Sequence, residues 1–196
     1  MKNRKIVLFG AAALILFILV ASRGDQSFAQ YIRSFGDTKI SNKEVLPDHE
    51  IKELVYFYEH VMNKSKKEAT QTAMDTLLKD KAIQQEAKKL QLSVLDEEVQ
   101  KTINFQIENA KKIDSPELTS LLKALGLTIE EYYQDYAYEK IRGKLIENKL
   151  FHEVTKDVQD PEEKGKLWEK EKQKLVKQFM TVNYVEIEQL KKRYEY

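Results

Sequence analysis

Apolar side chains recur at helical intervals along most of this chain. Between about Lys66 and Leu90 they form a broad stripe with Lys, Gln and Glu between them, and Val99, Ile103 and Ile107 follow at spacings of four. Residues spaced in this way lie on one face of a helix, where they can pack against a core. The pattern therefore predicts a mainly α fold.

Capping residues mark several of the predicted helix boundaries. Ser115 before Pro116 predicts the start of a short leucine-rich helix. Gly126 predicts its end, because Gly accommodates the left-handed conformation that often follows a helix. Thr128 and Glu131 form a capping box, which predicts that the next helix begins there and runs to about residue 151.

Further boundary signals follow along the chain. Ser93 with Asp96 indicates a cap for the helix that follows, and Asp160 before Pro161 indicates the start of the last long helix. Residues 181–187 read TVNYVEI, an alternating and β-branched pattern that predicts a short strand. A second short strand is an option near residues 36–40, beside a Gly-Asp turn signal.

The N-terminus carries an export signal. A basic cluster, Lys2, Arg4 and Lys5, precedes an unbroken apolar stretch over residues 6–21. This order is typical of a signal peptide, with a cleavage option before Gln30, and equally of a signal anchor that stays in the membrane. Either alternative exports the rest of the chain, because the basic cluster stays on the cytoplasmic side.

This predicted signal divides the chain into two segments. Residues 1–29 are predicted to be a signal peptide or a transmembrane signal anchor, and residues 30–196 one helical domain. An uncut segment would hold the protein in the cell membrane through residues 6–21, as a single-pass protein with an extracytoplasmic C-terminal domain. A cut segment would leave a secreted protein.

Composition narrows the function classes. The chain has 33 basic and 32 acidic residues, so it lacks the basic excess with which proteins neutralise nucleic-acid phosphates. It has no Cys, which excludes disulfides, thiol catalysis and a lipid-modified Cys. With 6 Gly and 3 Pro in 196 residues it has too few turn formers for a many-stranded sheet.

No catalytic motif is found in the sequence. His49, His60 and His152 are the only histidines, and none is spaced to share a metal site with another. Acidic pairs such as Glu130-Glu131 and Glu162-Glu163 fall in predicted first helical turns, where carboxylates stabilise the helix dipole. We therefore predict a protein that is not an enzyme and has neither a metal nor a cofactor.

A tyrosine cluster is the most distinctive feature. It comprises Tyr132, Tyr133, Tyr136 and Tyr138, and helical geometry brings only the first three towards a common side. One interpretation buries two or three of them in the core. The other places Tyr132 and Tyr136 in a client-binding groove, because Tyr combines a large contact area with a polar tip. Its other lining residues are Leu121, Leu122 and Leu125.

The order of these signals resembles a known family. The segments FGDTKISNKEV, LLKDKAIQQEAKKLQLSVLDEEVQ and LLKALGLTIEEYYQDYAYEKIRGKLIENKLF, which together begin at Phe35, are similar to the N-terminal chaperone domain of the exported SurA and PrsA chaperones. The resemblance continues to about Ile187. It implies an orthogonal multi-helix chaperone-type domain that cradles unfolded or partly folded secreted polypeptides.

The chain also departs from the family pattern. Gln91 stands where the family often has Gly, and Leu95 where it often has a Ser or Thr cap. Only about nine residues follow Ile187, so we expect the parvulin-type isomerase domain of the family to be absent.

Two partner hypotheses remain open from sequence. The first is a non-catalytic exported chaperone that binds unfolded or partly folded secreted polypeptides at the outer face of the membrane. The second is a membrane-anchored adaptor or regulator that binds one specific protein partner. The first predicts general suppression of aggregation and an exposed apolar groove, whereas the second predicts a single tight complex.

Overall fold

The computed structural model describes residues 44–113, 115, 118–119, 122–123 and 126–196. This part of the chain is helical and contains no strand, which confirms the mainly α prediction. It divides into two compact units. We call the part within Leu95–Lys144 the tyrosine unit, and the part within Lys39–Val94 and Leu145–Tyr196 the groove unit.

The groove unit begins with two helices that pack on each other. Helix α1 spans Asp48–Tyr56 and starts directly after Pro47, as expected for a residue that cannot donate a backbone hydrogen bond. A π-helical segment, Phe57–Val61, continues it. Helix α2 spans Lys66–Lys89, close to the predicted bounds, and begins at a capping box between Ser65 and Glu68.

Helix α2 ends in a Schellman motif built on a residue that is not glycine. Gln91 has a φ of 55°. Its amide donates to the carbonyl of Lys88 (3.1 Å), and the amide of Leu92 donates to the carbonyl of Ala87 (2.8 Å). The motif requires a left-handed residue at this position, which is why Gly is preferred there. Gln91 adopts that conformation without the freedom that Gly provides.

Two helices complete the groove unit. Helix α6 spans Pro161–Val182, and Asp160 caps it by accepting hydrogen bonds from the amides of Glu162 and Glu163, as the sequence predicts. Helix α7 spans Tyr184–Tyr194. Helix α2 packs against both α1 and α6, so it is the central element of this unit.

The core of the groove unit is apolar and buried from solvent. Phe151 packs edge-on against Trp168, with ring centroids 5.9 Å apart. Removing an aliphatic side chain from water contributes about 1.5–3 kcal/mol, so the core accounts for much of the fold's stability. Its buried members come from every helix of the unit: Leu46, Ile51, Met74, Leu77, Leu78, Ala82, Ile83, Leu150, Trp168, Leu175, Phe179, Ile187 and Leu190.

The tail of the chain folds back onto α1. The Tyr194 hydroxyl donates a hydrogen bond to the Asp48 carboxylate, and Arg193 lies 3.4 Å from the same carboxylate. Lys52 also pairs with it at 2.6 Å. Desolvation opposes ionisation of Asp48, but the hydrogen bonds from Lys52 and Tyr194 outweigh it, and the pKa of Asp48 is lowered.

The tyrosine unit is built from shorter pieces. Helix α3 spans Asp96–Lys112, helix α4 only Ile129–Glu131, and a second π-helical segment, Tyr132–Tyr136, follows directly. Helix α5, Tyr138–Val154, starts in this unit and ends in the groove unit. The buried residues of the tyrosine unit are Val99, Ile103, Ile107, Leu118, Tyr132, Tyr133, Ala137 and Ile141.

Several capping predictions for the tyrosine unit are confirmed. Thr128 and Glu131 form the expected capping box, with the Thr128 amide 2.7 Å from the Glu131 carboxylate. The Ser115 hydroxyl accepts the amide of Leu118 at 3.2 Å. Gly126 has a φ of 64°, the left-handed value expected after a helix.

Two local predictions were wrong. Residues 181–187 are not a strand, because α6 runs to Val182 and α7 starts at Tyr184. Helical hydrogen bonding continues through the junction, where the Asn183 amide donates to the carbonyl of Phe179 (3.0 Å) and the Ile187 amide to that of Asn183 (3.0 Å). The β-branched residues here were a poor guide, because tertiary packing overrides such propensities.

Ser93 does not cap α3 either. Leu95 occupies the N-cap position and offers no side-chain acceptor, while its amide donates to the Glu98 carboxylate at 2.9 Å. The first-turn acids that the sequence indicated do lie in first turns of helices.

The N-terminal predictions lie outside the described residues. These are the signal segment 1–29, the apolar stretch 6–21 and the optional strand near 36–40. Within residues 44–196, as far as the structure describes them, no helix combines the length and the apolar character needed to cross a bilayer.

Candidate functional site

The structure brings the two predicted binding tyrosines together. The Tyr132 and Tyr136 ring centroids are 5.4 Å apart, and the Tyr133 ring meets that of Tyr132 edge-on at 5.2 Å. The π-helical segment sets this geometry, because the Ala137 amide donates to the carbonyl of Tyr132, five residues earlier, at 2.9 Å.

Burial differs sharply within the tyrosine cluster. Tyr132 is 1% exposed and Tyr133 2% exposed, whereas Tyr136 and Tyr138 are half-buried. This is the distribution of the core interpretation, with two rings inside and two partly outside. Tyr132 could contact a client only if it left this interior. Client binding by Tyr132 and Tyr136 therefore stays a prediction.

The three leucines predicted beside the tyrosines are only partly described. Leu122 is half-buried, and its carbonyl accepts the amide of Leu127 at 3.0 Å. Leu121 and Leu125 lie outside the described residues. Their role in client binding remains a prediction.

Polar contacts tie α5 to α3 within the tyrosine unit. The Tyr138 hydroxyl lies 3.1 Å from the Asp96 carboxylate, and Arg142 pairs with the same carboxylate. Arg142 also donates to the Tyr138 hydroxyl at 2.9 Å, and this bond is the main reason that the pKa of Arg142 is raised. These groups hold the two helices together.

The histidines are dispersed. His60 stacks at 4.2 Å on Tyr56, and His152 lies 5.5 Å from the Phe151 ring. Among the described residues, no group of three or more His, Asp or Glu side chains is placed to hold a metal ion.

An open groove lies between α2, α6 and α7 in the groove unit. Its volume is about 560 Å³. The apolar side chains that line it are Val176, Met180, Tyr184 and Ile187. Ile187 is 1% exposed and anchors the groove to the core, whereas Tyr184 is 64% exposed and presents its ring to solvent.

Charged side chains form the rim of the groove. The Glu169 carboxylate is 2.6 Å from Lys172, and that of Glu188 is 3.1 Å from Lys191. A third acid, Asp75, accepts a hydrogen bond from the hydroxyl of Tyr196. Each acid of the rim is therefore engaged by a neighbour within the fold.

Unlike these acids, two lysines of the rim have no charged partner among the described residues. Lys79 on α2 and Lys177 on α6 line the groove. Neither forms an ion pair with any residue that the structure describes. The lining carries four lysines and three acids, so the groove combines an apolar lining with a net charge of one positive.

Exposed apolar side chains continue beyond the groove. Val182 is 73% exposed and Val185 66% exposed, on either side of the junction between α6 and α7. Among the described residues of the groove unit, these two and Tyr184 are the most accessible large apolar groups. Clustered exposure of this kind is typical of surfaces that bind other molecules.

Sequence reasoning missed this groove, although a signal was present. Val176, Met180, Tyr184 and Ile187 follow one another at spacings of four, four and three, the interval of a single helical face. The strand prediction for residues 181–187 interrupted that face and concealed it.

Comparison with known proteins identifies the chain by family. The family of SurA-like N-terminal domains matches residues 2–146, which include α1, α2 and α3, while α6 and α7 follow the matched span. No curated protein and no solved structure gives a significant match. Because the matched span exceeds half of the 196 residues, this chain belongs to the family of SurA-like N-terminal domains, which indicates a chaperone-type role.

Proposed function

We propose that this protein is a chaperone that binds unfolded or partly folded exported polypeptides through the groove between α2, α6 and α7. The groove itself carries the proposal, because an apolar lining open to solvent is what an exposed apolar segment of a client requires. Membership of a chaperone-type family supports the chaperone role, whereas the choice of this groove rests on its geometry, because α6 and α7 follow the matched span.

The shape of the lining suits clients of varied sequence. Met180 is flexible and polarisable, and Tyr184 offers a broad ring with a polar tip. Such side chains adapt to different apolar partners without demanding one shape. A surface of this kind favours a general chaperone over an adaptor dedicated to one partner.

We place this activity on the extracytoplasmic side of the cell membrane. The support is the basic cluster followed by the apolar stretch 6–21, an order typical of segments that direct the following chain out of the cytoplasm. Protease added to intact cells stripped of their wall should degrade the chain beyond residue 30. Full protection that ends only on lysis would overturn the location, and N-terminal sequencing would separate a start at Met1 from one at Gln30.

The test of binding is an aggregation assay with the full chain in mild detergent, using the detergent alone as the blank. A chemically unfolded substrate protein is diluted into increasing amounts of the chain, and light scattering is followed. We expect suppression near equimolar amounts. No suppression at large excess would overturn the proposal and favour a dedicated adaptor.

A pair of variants tests the groove. Tyr184→Ser removes the exposed ring of the groove, and Phe105→Ser removes a ring that is 47% exposed on α3 of the tyrosine unit. We expect Tyr184→Ser to weaken suppression and Phe105→Ser to leave it unchanged, with equal helix content by circular dichroism. Equal suppression by both variants and the parent chain would exclude the groove as the binding surface.

A further inference from the structure

Some charged side chains around the groove have a partner within the fold and others do not. Asp75 accepts a hydrogen bond from Tyr196, whereas Glu169 forms an ion pair with Lys172 and Glu188 with Lys191. Lys79 and Lys177 line the same groove and form no ion pair with the described residues. With Lys172 and Lys191, the lysines of the lining number four against three acids, so the groove has a net charge of one positive.

We infer that the groove selects polypeptide segments in which a carboxylate lies next to apolar side chains. Val176, Met180 and Tyr184 receive the apolar part, and Lys79 and Lys177 pair with the Asp or Glu side chain beside it. This inference rests on the proposed function and specifies the class of segment that is bound.

Two physical reasons support selection by charge. The lysines stand on different helices, α2 and α6, that face the same groove, so one bound segment can reach both. A basic client segment would add positive charge to a groove whose net charge is already positive, and like charges in a recognition site oppose binding. Selection against basic segments is therefore part of the same inference.

The test uses labelled peptides and the full chain in mild detergent, followed by fluorescence anisotropy. Three peptides share one apolar sequence and carry flanking Asp and Glu, flanking Asn and Gln, or flanking Lys. We expect the acidic peptide to bind about fivefold more tightly than the amide peptide at low salt, because two exposed ion pairs contribute modestly. The lysine peptide should bind most weakly, and added salt should reduce the differences.

Two double variants locate the effect. Lys79→Gln with Lys177→Gln should bring the acidic and amide peptides to equal affinity. Lys88→Gln with Lys170→Gln is the matched control: it removes one lysine from each of the same two helices, at exposed positions that do not line the groove. This control should keep the fivefold preference.

The outcomes separate the two proposals. If no peptide binds, the proposed function fails and this inference with it. If all three bind with equal affinity, or if the preference survives loss of Lys79 and Lys177, the groove does bind polypeptides but does not select carboxylates, and the inference alone is overturned. Thermal unfolding of every variant checks that the helices remain intact.

Discussion

The Tyr196 hydroxyl donates a hydrogen bond to the carboxylate of Asp75, which lies 121 residues earlier on the edge of the groove. Glu195 makes this contact possible, because its left-handed backbone (φ 53°) turns the chain back after α7. Partial burial, the bond to Asp75 and the charge of that carboxylate raise the pKa of Tyr196 to about 12.

This contact predicts a loss of stability in alkali. The folded chain holds the Tyr196 proton more tightly than the unfolded chain, whose tyrosine ionises near its ordinary pKa of 10. The stabilisation is complete below pH 10 and is lost as the pH rises towards 12. Tyr196→Phe should therefore make the decline in unfolding free energy shallower over this range.

Urea unfolding at several pH values measures this difference between parent and variant. Tyr184→Phe is the control, because it removes the same hydroxyl from a tyrosine that is 64% exposed. An identical slope for the parent and Tyr196→Phe would show that folding does not raise the pKa of Tyr196.

Gly126 also stands in a Schellman motif, since its amide donates to the carbonyl of Lys123 and the amide of Leu127 to that of Leu122. Exchanging the residues at Gln91 and Gly126 is therefore predicted to have opposite effects on stability. Gln91 and Gly126 take the same position, with φ values of 55° and 64°. A side chain in the left-handed region costs about 1–2 kcal/mol, so Gln91→Gly should stabilise the fold by about 1 kcal/mol. Gly126→Ala should destabilise it by a similar amount. Guanidinium unfolding checks both, and a loss of stability in Gln91→Gly would contradict the reasoning.

The uncapped start of α3 predicts another stabilising change. Leu95 is at the N-cap, 64% exposed, and its side chain accepts no hydrogen bond. Leu95→Ser supplies an acceptor for the first turn and completes a capping box with Glu98, which should add about 0.5–2 kcal/mol. Leu95→Ala, which lacks the acceptor, is the matched control in the same thermal unfolding experiment. Equal melting temperatures for the two variants would argue against capping.

We predict that substitutions within the tyrosine cluster lower the free energy of unfolding by unequal amounts. Tyr132 is 1% exposed, so Tyr132→Ala should cost about 3–5 kcal/mol, as for other large buried aromatic residues. Tyr136 is half-buried, so Tyr136→Ala should cost clearly less. Urea unfolding of both variants measures the difference. A small cost for Tyr132→Ala would mean that its ring is not a core element, and it would favour the client-binding interpretation.

Two departures from the family pattern lie where the backbone favours particular residue types. The sequence comparison singled out Gln91 and Leu95 as departures from Gly and from a Ser or Thr cap. The structure places Gln91 in the left-handed region and Leu95 at an N-cap. A Gly at the first position and a Ser or Thr at the second would suit this backbone geometry, which the chain adopts with other residues.

Local signals predicted the helices because the forces that set them are local. Capping residues such as Thr128 and Asp160, and the helical spacing of α2, act within a few residues of one another. The strand prediction at residues 181–187 was wrong because a short alternating run does not reveal which side packs. There, burial of Ile187 and the backbone bonds around Asn183 favour a helix.

The sequence by itself determined the helical class, most helix boundaries, the family and the balanced charge of this protein. Only the tertiary structure decided that Tyr132 lies inside, and that Lys79 and Lys177 line one groove with Tyr184. The physical reason is that caps and helical spacing act over single turns. Burial and the pairing of charges depend instead on residues about one hundred positions apart, which meet only when the helices pack.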